Sequence, residues 1–193
     1  NTAATAEHTI SMMLALARNI PQATASMKDG KWLKKELVGV EIAGKTLGIV
    51  GLGRIGRIVA DLAMGLKMKV IAADPYISKD AADRLNVGLV TLDALFARSD
   101  FISLHVPKLK ETINMINRQA IPKMKPGVRI INCSRGEVIN LDDLDAAIEA
   151  GHVGGAALDV FPKEPPDPGL KILKNPHVVL SPHLGASTGE AQE

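Results

Sequence analysis

Residues 46–62 read TLGIVGLGRIGRIVADL, and the stretch Gly51-Leu52-Gly53-Arg54-Ile55-Gly56 restricts this chain more than any other feature. Alone, the pattern G-x-G-x-x-G is weak, because glycine triplets arise by chance and in other loops. Here a β-branched apolar run stands directly before it. An amphipathic helical stripe (Ile55, Val59, Leu62, Leu66) comes directly after, the context in which the pattern becomes specific. Gly51 permits a tight strand-to-helix turn, Gly53 lets a pyrophosphate approach the backbone, and Gly56 lets the helix pack on the strand. The N-terminal end of that helix then offers N–H donors and a positive dipole end to phosphates.

The next apolar run, KVIAADP, ends on Asp74, placed after Gly56 at the interval expected of a ribose-binding acid. A carboxylate there accepts hydrogen bonds from both adenosine ribose hydroxyls and repels a 2′-phosphate. No Arg or Lys lies between Asp74 and Lys79 to offset that repulsion. The expected cofactor is therefore NAD rather than NADP. The alternative is an Asp74 that serves only as a turn residue before Pro75.

The same alternation continues along the chain. Short apolar runs occur at 46–50, 69–73, 87–90, 100–106, 128–133, 153–160 and 177–181, most of them separated by helix-period segments. One such segment carries Leu141, Leu144 and Ile148, opened by Asn140 as N-cap with Asp142 and Asp143 in its first turn, and closed by Gly151. Strands apolar on both faces, alternating with helices, predict a doubly wound α/β domain of Rossmann type. About seven parallel strands are expected, with helices on both faces. At 193 residues the chain has room for one substantial core, so residues 1–193 are expected to form one nucleotide-binding domain. It opens on Asn1 rather than Met and reads as a piece of a longer protein.

Composition narrows the partners. Lys and Arg number 23 against 21 Asp and Glu, and they are scattered, which speaks against a nucleic-acid footprint. No apolar run approaches the ~20 residues of a membrane span. The lone cysteine, Cys133, excludes an internal disulfide and suits a reducing, cytoplasmic setting. The first helical segment, TAEHTISMMLALARNI, has one apolar stripe at Ile10, Met13, Leu14 and Ala17 and a second at Met12, Leu16 and Ile20. A helix apolar on two sides is buried on two sides. The second side is expected to meet another copy of the chain in a homodimer, the alternative being cover by further parts of its own chain. SMKDGKW and VGVEIAGK read as connecting loops.

In open α/β sheets ligands bind beyond the carboxyl ends of strands. Three ionisable residues fall just past such ends: Arg135 after VRIINCS, Glu164 after AALDVFPK, and His183 after HVVLSP. An arginine offers a planar fork to a carboxylate and a neighbouring oxygen. A histidine moves protons near neutral pH, and a carboxylate beside it fixes its ring and favours its charged form. Each also has a bland reading: a turn arginine, a solvated loop acid, a half-buried histidine. Their convergence at one sheet edge favours a site. His8, His105, His152 and His177 are assigned structural or solvated roles, with His105 on the adenine side. Cys133, next to Ser134, is read as a small buried residue. No metal is expected, because no His, Cys, Asp or Glu cluster has ligand spacing in the sequence.

Taken together, GLGRIG, ADP, INCSRGEVIN, AALDVFPKEPP and SPHLGAST resemble the D-2-hydroxyacid dehydrogenases, and ASMKDGKW with PHLGASTGEAQ is similar to their D-3-phosphoglycerate dehydrogenase branch. The resemblance covers nearly the whole chain. It implies that Arg135 binds the substrate carboxylate and carbonyl oxygen, that His183 is the acid/base and that Glu164 is its partner. It also implies that Arg54 and Ile55 lie by the pyrophosphate, that Asp74 holds the ribose, and that Val106, Cys133 and Asp159 line the cofactor. HLGA, with Gly185 and Ala186, joins that lining, and Asp159 sits near the nicotinamide carboxamide. The implied reaction is NAD-dependent oxidation of 3-phospho-D-glycerate to 3-phosphooxypyruvate, opening the phosphorylated pathway to L-serine. Other 2-hydroxyacid dehydrogenases, formate dehydrogenases, glyoxylate or hydroxypyruvate reductases, and NAD-sensing transcriptional co-repressors are the alternatives. The family's substrate domain has no counterpart in this stretch.

Overall fold

The computed structural model describes all residues 1–193. Seven strands form one parallel sheet: β1 (Thr46–Val50), β2 (Lys69–Ala73), β3 (Gly88–Leu89), β4 (Phe101–Leu104), β5 (Val128–Asn132), β6 (Val153–Leu158) and β7 (Val178–Leu180). Their order is β3-β2-β1-β4-β5-β6-β7. The chain moves outward from β1 to β3, then returns to lay β4 on the other side of β1. At that switch point neighbouring loops diverge and open a crevice at the carboxyl edge.

Helices cover both faces: α1 (Thr2–Arg18), α2 (Ile20–Lys28), α3 (Arg54–Gly65), α4 (Lys79–Arg84), α5 (Leu92–Arg98), α6 (Leu141–Glu149) and the short α7 (Gly189–Gln192). Side chains alternate between two cores, as strand geometry requires. Ile102, Leu104 and Ile130 pack with Leu95 and Phe96 of α5 and Leu144 and Ile148 of α6. Leu47, Ile49, Phe101 and Ile131 pack on the other face with α1 and α3. Because both faces are buried, each strand reads as a continuous apolar run. The doubly wound α/β expectation holds. Strand ends are shorter than the apolar runs, so His105, Cys133, Asp159 and Ser181 fall just beyond β4, β5, β6 and β7. The α6 expectation holds to the cap: the Asn140 side chain accepts the Asp143 N–H at 3.1 Å, and Gly151 takes φ 84.

Two expectations change. Asn19 adopts a left-handed conformation (φ 56) and ends α1, and Pro21 in the first turn of α2 starts a new helix. Part of the expected SMKDGKW loop, up to Lys28, is therefore helical. Two of the three residues of the second stripe are also satisfied at home, while Ile20, now in α2, stays exposed. Met12 and Leu16 are buried in the core shared with α3 and the sheet, and the Leu16 side chain lies 3.0 Å from where a Cβ of Gly155 in β6 would stand. At Met12 and Leu16 the two-sidedness arises because α1 lies between α3 and the β5–β7 end of the sheet. Of the large apolar residues left exposed, Ile20, Met27, Trp32 and Val38 lie on α2 and the segment after it, while Leu66, Tyr76, Leu109, Ile113, Leu180 and Leu184 are spread over the rest of the surface. No helix is long and apolar enough to cross a membrane.

Candidate active site at the carboxyl edge of the sheet

β1 runs straight into Gly51, whose φ of 95 lies in the region that favours glycine. A Cβ there would stand 2.3 Å from the His105 carbonyl oxygen, so the ends of β1 and β4 are in contact at the switch point. A Cβ on Gly56 would stand 2.3 Å from the Gly51 carbonyl oxygen, which is how closely α3 approaches β1. At Gly53 a Cβ would meet nothing within 4 Å, because the position opens into the crevice. The backbone there is bare at the N-terminal end of α3, where a phosphate fits.

Two clefts join at this turn. The larger, about 970 Å³, is bordered by Gly53, Arg54, Ile55 and Gly56 on the α3 side and by Val106 after β4. Cys133, Ser134 and Arg135 after β5, Asp159 after β6, and His183, Gly185 and Ala186 after β7 border it as well, and Thr2 and Thr5 of α1 close one side. The smaller, about 540 Å³, contains Gly51 and Asp74 with Tyr76, Leu92 and Met115. Gly53, His105, Val106 and Pro107 border both. Unequal clefts meeting at a glycine turn suit the two halves of a dinucleotide.

Asp74 does more than face the smaller cleft. Its carboxylate accepts the Leu52 N–H at 2.7 Å and the Tyr76 N–H at 2.8 Å, tying the glycine turn to the end of β2. His105 bonds Ser103 Oγ through Nε2 at 2.7 Å, and desolvation pushes its imidazole down to about 4, which leaves it neutral around pH 7. Cys133 is buried, and burial pushes its thiol up to about 12, with the Asp159 charge adding in the same direction and a Thr9 hydrogen bond opposing it. The Cys133 side chain packs in the core that α1 and α3 share with the sheet, and the residue borders the larger cleft.

The catalytic candidates converge. Nδ1 of His183 lies 2.6 Å from Glu164 Oε1 and 2.9 Å from Oε2, leaving Nε2 without a protein partner. His183 itself is left-handed (φ 54), a conformation that costs a non-glycine residue on the order of 1 kcal/mol and persists only where surroundings impose it. Those surroundings include Asp159, whose carbonyl accepts the His183 N–H at 2.8 Å. Arg135 borders the same cleft as His183 and donates from Nη1 to its neighbour's Ser134 carbonyl at 2.8 Å, with the rest of its fork free. The turn that presents it is held by buried Asn132, which donates to the Arg135 carbonyl at 3.0 Å and accepts from Ser134. His183 borders both this cleft and a third, about 520 Å³, which Glu164 lines together with Phe161, Leu173 and Leu180.

Sequence reasoning missed Asn132 and the group around His8. Ligand atoms of His8, Cys133 and Asp159 lie within 4.8 Å of one another, although 151 residues separate the first from the last. Spacing along the chain could not reveal such a trio. As a metal site it is poor, because the Asp159 carboxylate already accepts two backbone N–H groups and a serine hydroxyl, and the Cys133 thiol holds its proton.

Residues 10–185 match the family described as D-isomer specific 2-hydroxyacid dehydrogenase, NAD binding domain. The chain belongs to that family. Its NAD-binding domain is the architecture seen here, and NAD is its cofactor. Among relatives of this dehydrogenase domain, D-3-phosphoglycerate dehydrogenase of Synechocystis sp. is 53% identical over 193 residues, all of this chain and 34% of that protein. The enzyme of the same name from Archaeoglobus fulgidus is 50% identical over 192 residues, covering 36% of its length. The chain thus spans about a third of these relatives. Among solved structures, a glyoxylate reductase from Paecilomyes thermophila superposes with a TM-score of 0.92 at 35% identity, covering 99% of this chain and 58% of that one. The D-lactate dehydrogenase from Aquifex aeolicus complexed with NAD and lactic acid gives a TM-score of 0.90 at 34% identity, covering 100% of this chain and 62% of that one.

Proposed function

We propose that this chain is the cofactor domain of a longer D-3-phosphoglycerate dehydrogenase, which oxidises 3-phospho-D-glycerate to 3-phosphooxypyruvate with NAD. The single observation that carries the chemistry is the His183–Glu164 pair at the mouth of the NAD cleft, beside Arg135. The choice of substrate is supported by about half of the residues being identical to relatives of that name. On this reading the reaction is the entry to the phosphorylated route to L-serine, and the enzyme works in the cytoplasm.

The residues divide the work. Arg135 grips the carboxylate and the 2-oxygen of the substrate through its free N–H groups, fixing the alcohol carbon against the cleft. His183 Nε2 takes the hydroxyl proton as the C–O single bond becomes a carbonyl. Glu164 holds the Nδ1–H side of the ring, keeps Nε2 aimed at the hydroxyl and stabilises the charge that the ring acquires. Bound NAD supplies the acceptor for the hydride that leaves the same carbon. In reverse, His183 returns the proton. Asp159 borders the cleft where the nicotinamide carboxamide is read to lie, and Asp74 receives the adenosine ribose.

Assembly belongs to the same reading, through Ile20 of the second stripe and the exposed apolar residues that follow it. Exposed Ile20, Met27, Trp32 and Val38, which come after α1, form the face for a second copy of the chain. The structural likeness to glyoxylate and D-lactate enzymes supports a second reading, a dehydrogenase of another D-2-hydroxy acid. NADH formation by the full-length protein with 3-phospho-D-glycerate, D-lactate and D-glycerate separates them. The proposal expects phosphoglycerate to be the best substrate by kcat/KM. A higher kcat/KM for either of the others would replace it with the second reading.

A further inference from the structure

We propose that His8, on α1, is a positioning residue that holds the turn carrying His183. The inference rests on reading His183 as the acid/base, and it adds a residue that does not touch substrate or cofactor.

The turn is anchored on one residue. Asp159, fully buried after β6, receives three successive N–H groups: His183 on its carbonyl at 2.8 Å, Leu184 on Oδ1 at 2.7 Å and Gly185 on Oδ2 at 3.0 Å. Ser181, at the start of the turn, donates its hydroxyl to Oδ1 at 2.6 Å. With φ at 54, His183 keeps its left-handed backbone only while these bonds constrain it. The direction of its ring therefore depends on where the Asp159 carboxylate sits.

His8 is the one group outside this segment that bonds the carboxylate. Its Nε2 lies 3.2 Å from Asp159 Oδ1 and 3.2 Å from Ser181 Oγ. The carboxylate oxygen accepts, so Nε2 carries the hydrogen and the ring donates. Neighbours on the same face of α1 touch the same turn. A Cβ on Gly185 would lie 3.4 Å from the Thr5 methyl, and Met12 Sδ lies 3.5 Å from Ser181 Oγ. Thr5, His8 and Met12 recur at intervals that bring one helix face onto 181–185. The His8 side chain is 20% exposed and stands behind Asp159, outside the border of the NAD cleft. Losing its N–H leaves a buried carboxylate short of one donor, with only groups of the turn itself left to orient it. A displacement of about 1 Å at a reacting group can cost as much as about 10²-fold in rate.

The test compares His8→Phe, which keeps volume and loses the donor, with His8→Gln, which keeps a side-chain N–H, in the full-length enzyme. Turnover and NADH affinity are measured on the same preparations, with His183→Gln in parallel. His8→Phe is expected to lower kcat by about 10- to 100-fold with NADH affinity changed less than about threefold, and His8→Gln to recover most of the loss. Equal kcat in His8→Phe and the parent overturns the role. So does an equal loss in both His8 variants, which would mark a packing role instead. If His8→Phe does not fold, His8→Ala takes its place against His8→Gln. The parallel variant separates the two readings: full turnover by His183→Gln removes the acid/base reading itself, whereas its loss alongside an active His8→Phe removes only the inference about His8.

Discussion

Glu164 presents both of its carboxylate oxygens to Nδ1 of His183, at 2.6 and 2.9 Å, and His183 in turn borders the larger cleft. The pair is partly open to water, so its value to folding is small. Its value is directional: a ring held at Nδ1 has Nε2 free and aimed. Glu164→Gln should therefore leave NADH affinity and thermal stability close to the parent while kcat falls about tenfold or more. Unchanged kcat, with the fold intact, would mean that the contact is ornamental.

Asp74 is expected to set the cofactor preference. Its carboxylate faces the smaller cleft and would repel a 2′-phosphate at close range. Calorimetry should show NADH binding better than NADPH, and Asp74→Asn should narrow that gap by about tenfold, because an amide keeps the shape without the charge. The substitution also weakens two backbone bonds, to Leu52 and Tyr76, so a modest loss of stability accompanies it. Equal affinity of the parent chain for both cofactors contradicts the ribose role.

His105 links stability to pH. Burial lowers its imidazole to about 4 in the folded chain from 6.5, so the unfolded chain takes up a proton first as pH falls. Its contribution is intact above the unfolded value and is lost progressively as pH drops from 6.5 towards 4, a loss of about 3 kcal/mol at most. Urea unfolding of parent and His105→Gln chains across that window should give a flatter dependence for the variant. Parallel curves would show that the ring accepts its proton inside the fold.

Met12 and Leu16 are expected to act on folding rather than on assembly. Leu16→Ala should cost about 2–4 kcal/mol, as truncations in close-packed cores do, with association unchanged. Trp32→Glu should do the reverse, shifting sedimentation towards monomer with little change in stability. A Leu16→Ala chain as stable as the parent but newly monomeric would restore the partner surface to α1.

Much of the fold and site is legible in the sequence because the decisive signals are local. The strand-glycine-helix order around Gly51, Gly53 and Gly56 and the acid at Asp74 are short-range patterns that fix a βαβ unit, and continuous apolar runs betray strands buried on both faces. Arg135, Glu164 and His183 are legible because each stands just past the carboxyl end of an apolar run, where sheets of this kind bind ligands. Other features depend on packing between distant segments. Two apolar stripes show that α1 is buried twice, but not whether by its own sheet or by another chain. Asn19 ends α1 through a backbone conformation that asparagine tolerates without demanding it. The bond between His8 and Asp159 spans 151 residues and exists only because α1 lies over the ends of β6 and β7.

The central claim, that His183 moves the proton, is tested most directly by the turnover of His183→Gln in the full-length enzyme with saturating NAD and 3-phospho-D-glycerate, alongside its NADH affinity. Glutamine keeps the size and hydrogen-bonding character of the ring but cannot exchange a proton at neutral pH. The account predicts that NADH affinity is retained and that turnover falls by about 10²–10⁴-fold, the usual loss when a general acid/base is removed. Turnover near that of the parent would contradict it and leave His183 a structural residue of the turn.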